Sequence, residues 1–153
     1  MPRVQRSASV TWEGNVARGS GAISAASGAF SELPYSLASR VEQPDGKTSP
    51  EELLAAAHAA CYSMSLAGEL AEAGMPPEQL DVQATVTLDQ VEDGSHRIVA
   101  SEVLARARVQ ETDAATLNRL AAAASAGCPF TKLIEASATV TVNATLEGDP
   151  DGD

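Results

Sequence analysis

The chain has 153 residues and only two cysteines, whose places point to thiol chemistry rather than packing. Cys61 lies within Ser49-Pro50-Glu51-Glu52-Leu53-Leu54-Ala55-Ala56-Ala57-His58-Ala59-Ala60-Cys61, deep inside a strong helix signal. Cys128 lies in Ala126-Gly127-Cys128-Pro129, where one helix ends and another begins. A position some ten residues into a helix is beyond the reach of the dipole, which fades within the first turn. Burial among alanines would raise the Cys61 pKa. Left to itself Cys61 is an inert thiol or simply a small buried hydrophobe; to react it needs a cation brought from elsewhere. Cys128 sits at a helix N-cap, where unpaired N–H groups favour a thiolate. A thiol of lowered pKa also leaves well in exchange. The two divide into an attacking thiol at 61 and a resolving thiol at 128.

The elements that must position these sulfurs are legible in outline. Ala8, Val10 and Trp12 alternate with polar residues, which predicts a strand with one buried face. Gly14-Asn15 marks a turn, Arg18–Ala25 a second, glycine-rich strand, and Phe30–Val41 a weaker third. Thr48 or Ser49 caps a helix with Pro50 in its first position and Glu51 and Glu52 at the positive end of its dipole. That helix runs to about Ala73, where Gly74 closes it and Pro76-Pro77 forbids continuation. Its middle is nearly all small, so another backbone can approach closely.

Val82, Ala84, Val86 and Leu88 form one face of a strand, and Asp93-Gly94 turns it into a hairpin. The return strand, from about His96 to Val109, changes phase between Ala100 and Val103, which predicts a bulge there. Asp113 caps a helix that passes through Leu117 and Leu120, with Gly127 in a left-handed closing position. Pro129 opens a short helix through Ile134. A last strand carries Ala138, Val140, Val142, Ala144 and Leu146 on one face. Hairpins and grouped strands favour an α+β fold with antiparallel sheets.

Composition narrows the function. With 44% hydrophobic residues the chain can bury one core, so a single domain over 1–153 is expected, with an acidic, frayed tail at about 147–153. A net charge of −11 and 3% aromatic residues argue against nucleic acid and anionic membrane surfaces. Two cysteines are too few for a secreted disulfide framework, and two scattered histidines make a zinc site unexpected. No apolar segment follows the basic Met1–Arg6, and Leu53–Gly68 is short for a membrane span. A soluble, cytoplasmic protein is the expectation.

The chain resembles the OsmC/Ohr family of hydroperoxide-reducing proteins, and specifically its OsmC branch. The likeness rests on Trp12-Glu13-Gly14, Arg18-Gly19 with Gly21, and Pro34-Tyr35-Ser36-Leu37 with Arg40. It continues through Thr48, Pro50-Glu51-Glu52-Leu53, Ala57-His58-Ala59-Ala60-Cys61, Glu72-Ala73-Gly74 and Ala126-Gly127-Cys128-Pro129. The resemblance implies an OsmC-like fold in which antiparallel sheets wrap long central helices of an intertwined homodimer. It also implies a cysteine-based peroxidase that uses no metal or flavin cofactor. Cys61 would attack the peroxide and become a sulfenic acid; Cys128 would condense with it to a disulfide, which an external dithiol such as a lipoylated protein would reduce. Arg40 matches the arginine near the reactive sulfur and Glu51 the glutamate that orients it; Arg18 matches the position the Ohr branch uses and is the runner-up.

Glu51 and Cys61 lie about 15 Å apart along one helix. Antiparallel packing of two such helices would bring Glu51 of one chain toward Cys61 of another, which predicts sites shared across a homodimer. Glu52 reads as a helix-start charge, and His58, one turn before Cys61, as a packing or hydrogen-bonding histidine rather than a base. The preferred function is defence against oxidative stress by reduction of organic hydroperoxides, with hydrogen peroxide a poorer substrate. The alternative is a non-catalytic redox sensor or stress-induced binding protein using the same cysteine pair.

Overall fold

A computed structural model describes residues 3–148 of the chain. Residues 149–153, most of the expected acidic tail, lie outside the described residues. The elements run β1 (Ala8–Glu13), β2 (Ser20–Ala25), β3 (Leu33–Tyr35), α1 (Leu37–Val41), α2 (Pro50–Glu72), β4 (Gln79–Gln90), β5 (His96–Arg108), α3 (Ala114–Gly127), α4 (Pro129–Glu135) and β6 (Thr139–Leu146). They form two compact units that divide between Leu53 and Leu54, within the first turns of α2.

The first unit is an antiparallel sheet in the order β1-β2-β3. Trp12 pairs across the strands with Gly21, and Gly21 with Tyr35. A Cβ on Gly21 would collide with the Tyr35 ring. Its absence lets the Trp12 and Tyr35 rings meet, with centroids 5.5 Å apart and planes inclined at 49°. The alternation in β1 does not mark a buried face in this chain. All six of its residues are exposed, Val10 at 54%. The apolar side of a three-stranded sheet is covered only if a second layer lies on it, and Trp12 instead lies along its own sheet against Tyr35. The third strand is also shorter than its sequence range. Ser36, itself still extended (φ −154°, ψ 173°), caps α1, which starts at Leu37, exchanging hydrogen bonds with Ser39 in a capping box.

The second unit is the sheet β4-β5-β6 with α3 and α4 and the length of α2 beyond Leu53. Along β5, Ser101, Val103, Ala105 and Ala107 are buried while Glu102, Leu104, Arg106 and Arg108 point to solvent. The core joins Tyr62, Leu66 and Leu70 of α2 to that face of β5, to Leu117, Leu120, Ala121 and Ala124 of α3, and to Cys128 and Ala144. The spacing of Tyr62, Leu66 and Leu70 is one helical stripe. β4 and β5 form the expected antiparallel hairpin. The bulge falls at Val99, because Thr87 pairs with Ala100 while Leu88 pairs with Ile98. That is just before the Ala100–Val103 range expected for it. β6 runs parallel to β5, so this sheet is mixed rather than wholly antiparallel. The connection through α3 and α4 is long enough to cross over the sheet and return in the same direction.

Helix ends follow local chemistry. Ser49 caps α2 by accepting the Glu52 N–H at 3.1 Å. At the other end Gly74 has φ 78°, the Met75 N–H donates to Leu70 O at 2.8 Å and the Gly74 N–H to Ala71 O at 3.0 Å. These bonds are the Schellman pattern that a left-handed glycine allows. Gly127 does not take the left-handed conformation expected of it. It remains in α3, and Cys128 makes the turn in an extended conformation (φ −73°, ψ 118°) because it must at once become the N-cap of α4. Among the described residues no helix is long and apolar enough to cross a membrane.

Candidate active site

The sequence-predicted residues fall into two groups, one in each unit. The first is an arginine–carboxylate pair. Ser39 of α1 donates through Oγ to Thr48 O at 3.0 Å, and the Thr48 N–H donates to Pro34 O at 2.9 Å. This ties α1 to the residue just before the α2 cap and places Arg40 opposite the first turn of α2. Arg40 donates from Nε (2.9 Å) and Nη2 (2.7 Å) to the same oxygen of Glu51, Oε1. The Arg40 side chain is 40% exposed and that of Glu51 13%. The second carboxylate oxygen, Oε2, is buried and has no hydrogen-bond partner among the described residues.

Glu52 turns away from this pair and accepts from Thr48 Oγ1 at 3.1 Å. The Arg18 side chain is exposed and its backbone N–H donates to Asn15 Oδ1 at 3.0 Å. Beside the guanidinium lies a pocket of about 180 Å³ lined by Trp12, Val16, Tyr35, Leu37, Arg40 and Pro50. Ser36 also lines it, and apart from Ser36 and Arg40 its walls are apolar or aromatic. A larger hollow of about 500 Å³ on the outer face of β4–β6 has no cysteine on its walls, so volume is no guide to the chemistry here.

The second group holds the sulfurs. Cys61 and Cys128 are both free thiols, the first partly buried and the second fully buried. Each lies close enough to the other to shift its titration. Burial pushes the Cys61 thiol up; the Phe130 N–H opposes this, and the neighbouring Cys128 adds to it. Burial also acts to raise Cys128, but the N–H and hydroxyl of Thr131, the Cys61 thiol and the Phe130 N–H together outweigh it and bring this thiol down. Among the described residues no side-chain hydrogen bond caps this helix at Cys128. Within the second unit the sulfur favoured as thiolate is Cys128, with Cys61 as one of its donors.

His58 is fully buried one turn before Cys61. Its Nδ1 lies 2.7 Å from Ser101 Oγ and its Nε2 2.9 Å from Thr131 Oγ1. Burial lowers its pKa, and the charge of Glu135 offsets part of this. It is a hydrogen-bonding histidine held neutral near pH 7. Tyr62 donates to Ala121 O at 3.1 Å, and burial followed by the charge of Cys128 pushes its pKa up to about 12. Ser101, Thr131 and Tyr62 were not singled out from the sequence. A serine at the buried parity of β5 and a threonine three residues after an N-cap are the signals that could have marked two of them.

The OsmC family model, described as OsmC-like protein, matches residues 43–143. The peroxiredoxin OsmC of Escherichia coli K12 is 40% identical over 129 residues, covering 84% of this chain and 89% of that protein. The chain belongs to the OsmC family. The OsmC match spans Glu51, Glu52, His58, Cys61 and Cys128, and begins after Arg18 and Arg40. The Shigella flexneri peroxiredoxin OsmC aligns with the same identity and coverage. Solved structures agree on the OsmC-type fold. The organic hydroperoxide resistance protein OhrB of Bacillus subtilis aligns with a TM-score of 0.72 at 24% identity, over 91% of this chain and 98% of that one. An organic hydroperoxide resistance protein from Elizabethkingia anophelis aligns at 0.77 and 20%, over 96% of this chain and all of the other.

Proposed function

We propose that this OsmC-family peroxidase is a single-domain, cytoplasmic enzyme that reduces organic hydroperoxides, and hydrogen peroxide less efficiently, through Cys61 and Cys128. The observation that carries the reading is that two cysteines distant in sequence are brought within range of each other as free thiols. The Cys61 thiolate attacks the terminal oxygen of the hydroperoxide. A sulfur–oxygen bond forms, the O–O bond breaks, and the alkoxide leaves and takes up a proton as the alcohol. The Cys128 thiolate then attacks the sulfur of the Cys61 sulfenic acid. A disulfide forms and hydroxide leaves, to be protonated to water. Closure protects Cys61 from oxidation to the sulfinic acid. A dithiol, such as a lipoylated protein, returns both cysteines to thiols.

The raised pKa of Cys61 means that this scheme needs a cation, and Arg40 is the arginine already aligned by a carboxylate. In our reading the cation comes across a homodimer, Arg40 and Glu51 of one subunit serving the partner's Cys61. The alanine-rich middle of α2 suits the close helix crossing this requires. The guanidinium favours the thiolate and then the charge developing on the departing oxygen. The apolar pocket beside Arg40 suits the organic part of a hydroperoxide.

The test mixes reduced protein with cumene hydroperoxide and counts thiols. Two thiols vanish together in the wild type, with one intramolecular bond joining 61 and 128. Cys61→Ser abolishes peroxide consumption, and normal turnover by that variant ends the proposal. Oxidation that stops after one turnover with every dithiol would point to a sensor rather than an enzyme.

A further inference from the structure

His58 is a fully buried imidazole that the peroxide chemistry does not use, yet both its nitrogens are engaged by buried hydroxyls from two other elements. Ser101 comes from β5 and is fully buried; Thr131 comes from α4 and is 1% exposed. Thr131 is also the N3 residue of the helix whose N-cap is Cys128. In a capping box the N3 side chain reaches back to the N-cap residue. Hydrogen-bond contacts therefore link Ser101, His58 and Thr131, and Thr131 stands at the N3 position beside Cys128.

Donor and acceptor counting allows two directions, one for each neutral tautomer of His58. A neutral imidazole has one donor nitrogen and one acceptor nitrogen. If Thr131 Oγ1 donates to the sulfur, it can accept from His58 Nε2–H, and His58 Nδ1 then accepts the Ser101 O–H. Every hydrogen in the chain then points toward Cys128, the arrangement that stabilises a thiolate. The reverse tautomer reverses every donor and suits the thiol.

We infer that Thr131, oriented by His58 and Ser101, is a positioning residue that aims a hydroxyl donor at the Cys128 sulfur and thereby sets how fast this thiol closes on the Cys61 sulfenic acid. This rests on the resolving role proposed for Cys128. The chemistry of closure is unchanged: the S–S bond forms, the S–O bond breaks, and hydroxide departs as water. Thr131 moves no electrons; it holds the attacking sulfur in its ionised form and fixes its direction. The lowered Cys128 pKa agrees, with both the N–H and the hydroxyl of Thr131 contributing. The other titratable groups acting on this network are Cys61 and Tyr62 from α2 and Glu135 from α4.

The experiment measures Cys128 ionisation directly by thiolate absorbance in a Cys61→Ser background, where it is the only cysteine. Adding Thr131→Val raises the midpoint by about one unit, and Thr131→Ser restores it. Ser101→Ala, a small change at the far end of the chain, raises it by less and serves if the valine variant folds poorly. With Cys61 present, closure of the disulfide at pH 7 slows about tenfold in Thr131→Val and its pH profile moves up by the same amount. Thr131→Val and Ser101→Ala proteins that are folded but keep the parent midpoint would overturn the inference. A wild type that forms no 61–128 disulfide overturns the resolving role instead, whatever the midpoints.

Discussion

Arg40→Ala tests how Cys61 becomes a nucleophile. Burial holds this thiol above the ordinary 9.0. At pH 7 a thiol at that ordinary value is only about 1% ionised, so Cys61 on its own is less. A guanidinium within about 4–6 Å lowers such a pKa by roughly 1–3 units. Glu51 takes two of the Arg40 donors on one oxygen and sets its own charge against that field, while Nη1 makes no hydrogen bond among the described residues. The lower half of the range therefore applies, and Arg40→Ala should slow peroxide attack about 10- to 100-fold at pH 7.

The assay is the initial rate of cumene hydroperoxide consumption from pH 6 to 10. The deficit should narrow as the pH climbs, because hydroxide replaces what the arginine did. Glu51→Ala, which frees the guanidinium without removing it, should cost less than tenfold, and the double variant should be no slower than Arg40→Ala. The ion pair is partly exposed, so its coupling in stability is only about 0.5–1 kcal/mol. A loss of rate would therefore not be a loss of fold. An Arg40→Ala enzyme with the wild-type rate and pH midpoint would refute the reasoning, and a deficit found only in Arg18→Ala would pass the role to that residue.

Cys128→Ser should still consume one equivalent of peroxide but then accumulate sulfinic acid at Cys61, seen by mass spectrometry; a stable sulfenate at excess peroxide would contradict the protective role of closure. His58 has a folded pKa below its ordinary 6.5, so the native state binds fewer protons than the unfolded chain. Its contribution is present above pH 6.5 and is lost as pH falls through the folded value. The wild-type melting temperature should accordingly drop below that pH more steeply than that of His58→Asn, and parallel curves would rule this out. Leu66 is fully buried at the centre of the second unit, so Leu66→Ala should cost about 2–5 kcal/mol in denaturant unfolding. Gly21→Ala should push the Tyr35 ring off Trp12, the only tryptophan, and shift its fluorescence emission; an unchanged spectrum would mean that the rings do not depend on the glycine.

Much of this protein is written locally. Pro50 after Ser49, Gly74 before Pro76-Pro77, and Asp93-Gly94 mark helix ends and a turn because caps and turns depend on a few adjacent residues. The same holds for Cys128 as an N-cap, since Pro129 dictates where α4 begins. The short helix α1 was hidden because Pro34-Tyr35 is extended and only the Ser36–Ser39 pair announces the change. The direction of β6 was hidden as well, since alternation along a strand says which face is buried and nothing about which way its neighbour runs.

What the tertiary structure alone decided is which groups set the electrostatic order of the site. Helix position already ranks Cys128, at an N-cap, as more acidic than Cys61, but cannot say whether that ranking survives when both are buried. That depends on which N–H groups and hydroxyls from α4 the fold turns toward each sulfur. The meeting of His58 with Ser101 and Thr131 is likewise a product of packing. Hydrogen bonds between elements far apart in sequence carry no local signature, because each partner alone is compatible with many neighbours.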